Sequence, residues 1–147
     1  MAFTSSGSTT GAATSAGRMV VARFRDGRLL KGTTQDFAPN RESFHIYVGG
    51  DQSSQAVEVQ LVELKAVLYV KDFEGNSQHH DEYRFDKVVG HGRKAEVTFV
   101  DGEVVAGFTM GYHADRPGFF LIPADPDSNN ERIYVLNASI KSINWVR

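Results

Sequence analysis

From position 18 onward, apolar and polar residues alternate in short runs. Val20, Ala22 and Phe24 are interleaved with Val21, Arg23 and Arg25, the period of two that marks a half-buried strand. Asp26-Gly27 follows, and glycine there supplies the positive φ of a tight hairpin turn. A second strand is predicted over 28–34. Gly32 interrupts it, as a strand glycine does at a bulge or sharp bend. Beyond a polar loop over 35–43, Phe44-His45-Ile46-Tyr47-Val48 reads as a third strand. Residues 49–55 form another loop, 57–61 a fourth strand and 65–70 a fifth. Val62-Glu63-Leu64 between the last two is short enough for one 3₁₀ turn.

The pattern then recurs. Shifting residues 20–48 by 75 positions onto 95–123 brings seven identities into line, among them Phe24/Phe99, Asp26/Asp101, Gly27/Gly102, Gly32/Gly107 and Phe44/Phe119. With one extra residue in the second half, Leu64–Val70 matches Ile140–Val146. A period of this kind is the signature of a repeated structural unit. The expected second set of strands lies at 94–99, 103–109, 119–122, 132–136 and 141–146. Five short, bent strands closing on themselves describe a small barrel, since closure removes exposed edges. The predicted fold is all-β, with two tandem five-stranded small barrels at 18–72 and 93–147, a linker at 73–92 and a flexible tail at 1–17.

Composition narrows the function classes. The tail is mainly Ser, Thr, Gly and Ala with one aromatic, Phe3, too little apolar surface to offset its ordering entropy. Alone it is expected to be disordered, and order in it would require a partner to hold it. Lys plus Arg is 16 against 18 for Asp plus Glu, a net charge of −2, so no globally basic surface supports nucleic-acid binding. A local bias exists: 18–41 holds six positive residues and two negative ones, Asp26 and Asp36. The chain has no cysteine, which removes thiol catalysis and Cys-ligated metals. No apolar stretch approaches the roughly 20 residues of a spanning helix. The expectation is a cytoplasmic protein without membrane insertion, peripheral attachment to the cytoplasmic face of a membrane complex staying open.

The run Val20-x-Ala22-x-Phe24-x-Asp26-Gly27-Arg28-x-Leu30-x-Gly32 resembles the first half of an Sm-fold motif. The resemblance implies an Sm-like or SH3-like barrel. The Arg-Gly pair with which Sm proteins contact RNA has no match at the corresponding turns, Leu61-Val62-Glu63 and Asn137-Ala138-Ser139. Over nearly the whole folded chain the sequence resembles an uncharacterised bacterial family of one or two such modules. The phrases that carry it are Phe-x-Asp-Gly-x-x-x-x-Gly, Leu64-Lys65-Ala66-Val67, Val70–Gly75 and Arg116-Pro117-Gly118-Phe119-Phe120-Leu121. That resemblance implies a fold rather than an activity. Separately, and through no motif, the chain resembles extrinsic subunits of large bacterial membrane assemblies, photosynthetic ones included.

Candidate chemistry is sparse. His79-His80-Asp81-Glu82 could ligate a metal, but neighbours on an extended chain point to opposite sides, and a solvated linker is the simpler reading. Asp26 and Asp101 fit turn geometry. No nucleophile, phosphate-loop or zinc-protease motif occurs. Arg41 and Arg116 precede the third strand of each half, where a guanidinium can grip an anion or bond loop carbonyls. Phe24, Phe44, Phe99 and Phe119 are assigned to the core. Phe37, Phe73, Tyr112 and Phe120 are assigned either to a partner surface, where aromatics are enriched, or to a seam between the barrels. The expectation is a non-enzymatic assembly subunit with protein partners and no cofactor or metal. Its candidate contacts are Phe3, Phe37, Arg41, Phe73, Tyr112, Arg116 and Phe120. An Sm-like RNA- or nucleotide-binding module is the alternative.

Overall fold

A computed structural model describes residues 17–49, 55–71, 92–125 and 127–146. These residues are all-β, with two single 3₁₀ turns, Leu61–Glu63 and Asn137–Ser139. The first half carries β1 (Arg18–Phe24), β2 (Leu29–Thr34), β3 (Ser43–Val48), β4 (Gln55–Gln60) and β5 (Leu64–Val70). The second carries β6 (Arg93–Phe99), β7 (Val104–Thr109), β8 (Gly118–Pro123), β9 (Asn130–Leu136) and β10 (Ile140–Val146). Residues 72–91, which hold all of the expected linker 73–92 except Gly92 and include the His79–Glu82 cluster, and residues 1–16 of the expected tail 1–17 lie outside the described residues.

All ten strands join one antiparallel sheet, in the order β10-β6-β7-β8-β9-β5-β1-β2-β3-β4. The expectation of strands closing on themselves is corrected here: among the described residues the sheet is open. β4 pairs with β3 on one side and ends the sheet there, while β10 pairs with β6 and ends it at the other. The outer edge of β5, which closure of the first half would use, is taken instead by β9, with Ala66 opposite Val135 and Leu68 opposite Ile133.

The hairpins follow the local sequence. Gly27 and Gly102 adopt φ of 96° and 95°, and each Asp before them accepts a backbone N–H two residues on, from Arg28 and Glu103. Val20 pairs with Gly32, and Ala95 with Gly107. At Gly107 a side chain would collide with the backbone carbonyl of Ile122 and stand 2.8 Å from Leu121 Cγ, so only glycine lets β7 lie this close to β8. The alternation of β1 and β6 turns Val20, Ala22 and Phe24, and Ala95, Val97 and Phe99, into the core. The core has two parts. One gathers Phe44, Ile46, Val67 and Tyr69 of the first half with Tyr134 and Leu136 of the second. The other gathers Phe99, Phe119 and Leu121 with Ala66 of the first.

Candidate functional site

The seam between β5 and β9 concentrates most of the unusual chemistry. On one face the aromatic rings of Phe37, Phe120, Tyr69 and Tyr134 cluster. Phe37 meets Tyr134 at 5.2 Å and Phe120 at 6.3 Å between centroids, and Phe120 meets Tyr134 at 5.0 Å. These tilted and edge-on arrangements suit the ring quadrupoles. The guanidinium of Arg132 lies 4.5 Å from the ring centres of both Tyr69 and Phe120, a cation between two π faces. Burial pushes the phenols of Tyr69 and Tyr134 above their ordinary value, with Arg132 and Arg18 partly opposing this at Tyr69. Both therefore stay neutral in ordinary buffers. Among the described residues Tyr134 Oη and Arg132 Nε, both buried, meet no hydrogen-bond partner.

Beside this cluster sits an ionic one. Lys65 is buried at the start of β5. Its ammonium donates to Asp101 Oδ2 at 2.7 Å and to Glu103 Oε1, and lies 4.6 Å from the centre of the Phe99 ring. Arg23 on β1 donates to the same Glu103 oxygen at 2.8 Å. The Lys65 hydrogen bond, with a second from the Glu103 backbone, holds the Asp101 carboxyl below its ordinary range. Ser139 Oγ donates to Leu64 O at 3.1 Å. A fourth ion pair, Arg18 with Glu131 at 2.8 Å, also spans the two halves.

The residues named from sequence divide between these places. Phe37 and Phe120 meet in the seam. Tyr112 packs on Phe119 and Trp145 at 5.1 and 5.3 Å. With Ile140, Lys141, Ile143 and Trp145 it lines an open groove of about 440 Å³ beside β10. Arg41 and Arg116 are exposed on different loops, each loop closed by its own turn, Arg41 N–H to Ala38 O and Arg116 N–H to His113 O. Phe3 and Phe73 lie outside the described residues. The basic bias of 18–41 is largely spent on the protein itself: Arg18, Arg23 and Arg28 pair with Glu131, Glu103 and Asp26. Among the described residues no group of three metal-ligating side chains converges, and no helix is long and apolar enough to cross a membrane.

Sequence reasoning missed Lys65, Arg132 and the Asp36–His45 pair. His45 N–H donates to Asp36 Oδ1 at 2.9 Å, and Nδ1 lies 2.8 Å from Oδ2. Burial works to raise the Asp36 carboxyl, but the His45 bonds prevail and hold it below its ordinary value. Lys65 alone left a readable signal, a lysine inside the apolar run Leu64–Val70 that would need a partner if buried.

Among the described residues, fold and seam together define an all-β protein whose halves share one sheet and whose sheet leaves a strand edge open at each end. The chain belongs to a family of unknown function, DUF6982, whose model matches residues 15–147. No curated protein and no solved structure matches the chain.

Proposed function

We propose that the chain is a non-enzymatic interaction and assembly subunit, built as two tandem five-stranded Sm/SH3-like modules, that docks onto a larger protein complex. The observation that carries this reading is the open sheet. Among the described residues β4 and β10 each have one unpaired edge, and half-buried apolar side chains, Val57 on β4 and Ile143, Trp145 and Val146 on β10, accompany those edges. An unpaired edge beside apolar pockets is the geometry by which a partner strand adds to a sheet: main-chain bonds give affinity and side-chain pockets give choice. The seam supports the same reading, because its charges and rings are engaged with one another rather than aimed at a vacant reaction centre. Attachment to the cytoplasmic face of a bacterial membrane assembly belongs to this proposal.

The test is a mild-detergent pull-down of the tagged full chain, with masses of what co-purifies, repeated with Val57→Lys and Ile143→Lys after checking each fold by circular dichroism. Stoichiometric protein partners that are lost with an edge variant are expected. Integral membrane proteins among them would fix the location. Recovery with RNA, recovery without another protein, or partners indifferent to both edge variants would overturn the reading.

A further inference from the structure

Resting on the reading as two tandem modules, we infer that the chain associates head to tail with copies of itself, β10 of one copy adding to β4 of the next. The β5–β9 seam is the template. β5 flanks β1 as β10 flanks β6, and β9 flanks β8 as β4 flanks β3. The registers correspond residue by residue. Val20 faces Tyr69 as Ala95 faces Trp145, and Ala22 faces Val67 as Val97 faces Ile143. Phe44 faces Val59 as Phe119 faces Val135, and Ile46 faces Val57 as Leu121 faces Ile133. Trp145 thus stands where Tyr69 stands, and Val57 where Ile133 stands. Within one chain the edge of β5 is covered by β9, while the corresponding edges, β10 and β4, are both open among the described residues. Carrying the pairings Leu68–Ile133 and Tyr69–Arg132 across sets Asn144 opposite Val57 of the next copy, and Trp145 opposite its Ala56.

Side chains at the two edges match the same operation. The groove lined by Tyr112, Ile143 and Trp145 corresponds to the place where Phe120 and Tyr134 seat against Phe37, Val67 and Tyr69. Lys141 stands where Lys65 stands, and Asp26 where Asp101 stands, so the Lys65–Asp101 bridge has its counterpart in Lys141 with Asp26 of the next copy. Both are exposed in the single chain, where Asp26 is held by Arg28 of its own turn. One difference sets the strength. His45 and Glu58 occupy the positions of Phe120 and Tyr134, so the contact between copies is more polar than the intrachain seam and dissociates more readily. Glu58 brings a negative charge to a groove that Lys141 lines and Arg93, stacked 3.8 Å from the Trp145 ring centre, flanks. The contact is heterologous, so it forms a ring where the rotation closes and a filament where it does not.

The absence of cysteine from the chain makes a clean test. Directly opposed residues on antiparallel strands lie about 4.5–5.5 Å apart at Cα, within disulfide reach. Oxidised Asn144→Cys/Val57→Cys protein is expected to give a covalent ladder of trimers and higher species. Either single variant is expected to give nothing beyond a dimer. The native mass of uncross-linked wild type is expected to rise with concentration past twice the 16.2 kDa chain, and Lys141→Glu to lower it. A wild type that stays monomeric up to its solubility limit overturns the inference. So do single-cysteine variants that cross-link as readily as the double one, because then like edges pair. Capture of a different protein by a chain that forms no ladder sustains the docking role and overturns self-pairing, whereas a ladder without captured partners does the reverse.

Discussion

Lys65 offers the sharpest quantitative prediction because its ion cluster is lopsided. The lysine side chain is 6% exposed, whereas Asp101 and Glu103 are 54% and 37% exposed. Removing the lysine and removing the carboxylates should therefore cost different amounts. In Lys65→Met an unbranched apolar side chain fills the buried site, and two carboxylates are left that already touch water, one of them still paired with Arg23. Their rehydration limits the loss to about 1 kcal/mol, the upper end for solvent-exposed ion pairs. In Asp101→Asn/Glu103→Gln the ammonium stays buried without a countercharge. Breaking a buried pair in this way costs about 3–5 kcal/mol, and the lower figure applies because the partners sit at the surface. For a chain of this length each kcal/mol moves Tm by roughly 2–4 °C, so the lysine variant should melt a few degrees below wild type and the double acid variant about 6–12 °C below. Urea unfolding followed by circular dichroism and by the fluorescence of the single tryptophan, Trp145, measures both. Trp145 reports from β10, far along the sheet order from β5, so coincident transitions also establish that the halves unfold together. A lysine variant less stable than the double acid variant would refute this reasoning.

Other outcomes follow from single features. Phe99→Ala empties a site that is 2% exposed and should cost about 3–5 kcal/mol; a loss below about 1 kcal/mol in urea unfolding would mean that the core tolerates the cavity. Gly107→Ala puts a methyl group against the β8 backbone and should lower stability by more than the roughly 1 kcal/mol scale of β-propensity differences, with the β7–β8 amides losing exchange protection first. Asp26, Asp36 and Asp101 are each held below the ordinary 3.8. The fold thus favours their charged forms, and the stability they add is present above about pH 4 and lost as pH falls through their lower folded values. The urea midpoint should decline from about pH 4.5 downward, Asp101→Asn should flatten that decline, and a midpoint that rises on acidification would contradict the shifts.

The hairpins were the legible part of the fold, because their information is local. Period-two alternation placed β1 and β6, and Asp26-Gly27 and Asp101-Gly102 announced their turns. Gly32 was readable only as a bulge or sharp bend; the β1–β2 register runs through it without a shift, and what requires glycine at Gly32 and Gly107 is the neighbouring strand's carbonyl, of Tyr47 and of Ile122. The pairing of β5 with β9 was not legible. Ala66–Val70 is apolar at successive positions, as expected of a strand covered on both faces, but nothing in such a run says that its neighbour lies at 130–136. The assignment of Phe37 and Phe120 stayed divided between a partner surface and a seam: Phe37, in a loop, has no period from which to infer a face, and Phe120 sits on β8 on the face opposite Phe119 and Leu121, where alternation does not say what covers it. Arg132 left no signal, and Lys65 signalled only that it would need a partner, not which one. A charge in an apolar run gains meaning only from partners 36 and 38 residues away, which alternation cannot supply.

The shared core has a consequence for any attempt to study one half alone. The first half's cluster includes Tyr134 and Leu136 as buried members, and Phe120 packs on it. A unit of about 55 residues buries only about 60% of its unfolded surface and is marginal unaided. Each large apolar side chain contributes about 1.5–3 kcal/mol when fully buried, so three of them at the seam represent about 5–9 kcal/mol. Partial burial of Phe120 trims the figure, and the loss would still rival the whole stability of a small domain, about 5–15 kcal/mol. Cutting the chain between the halves also bares the β5 edge and the faces of Ala66, Tyr69 and Val70. A fragment of residues 17–71 should therefore lack a cooperative melt and show collapsed amide dispersion at low micromolar concentration, while a mixture with residues 92–147 should recover both. A fragment that folds alone with a sharp transition would mean that the seam joins two finished cores instead of completing one.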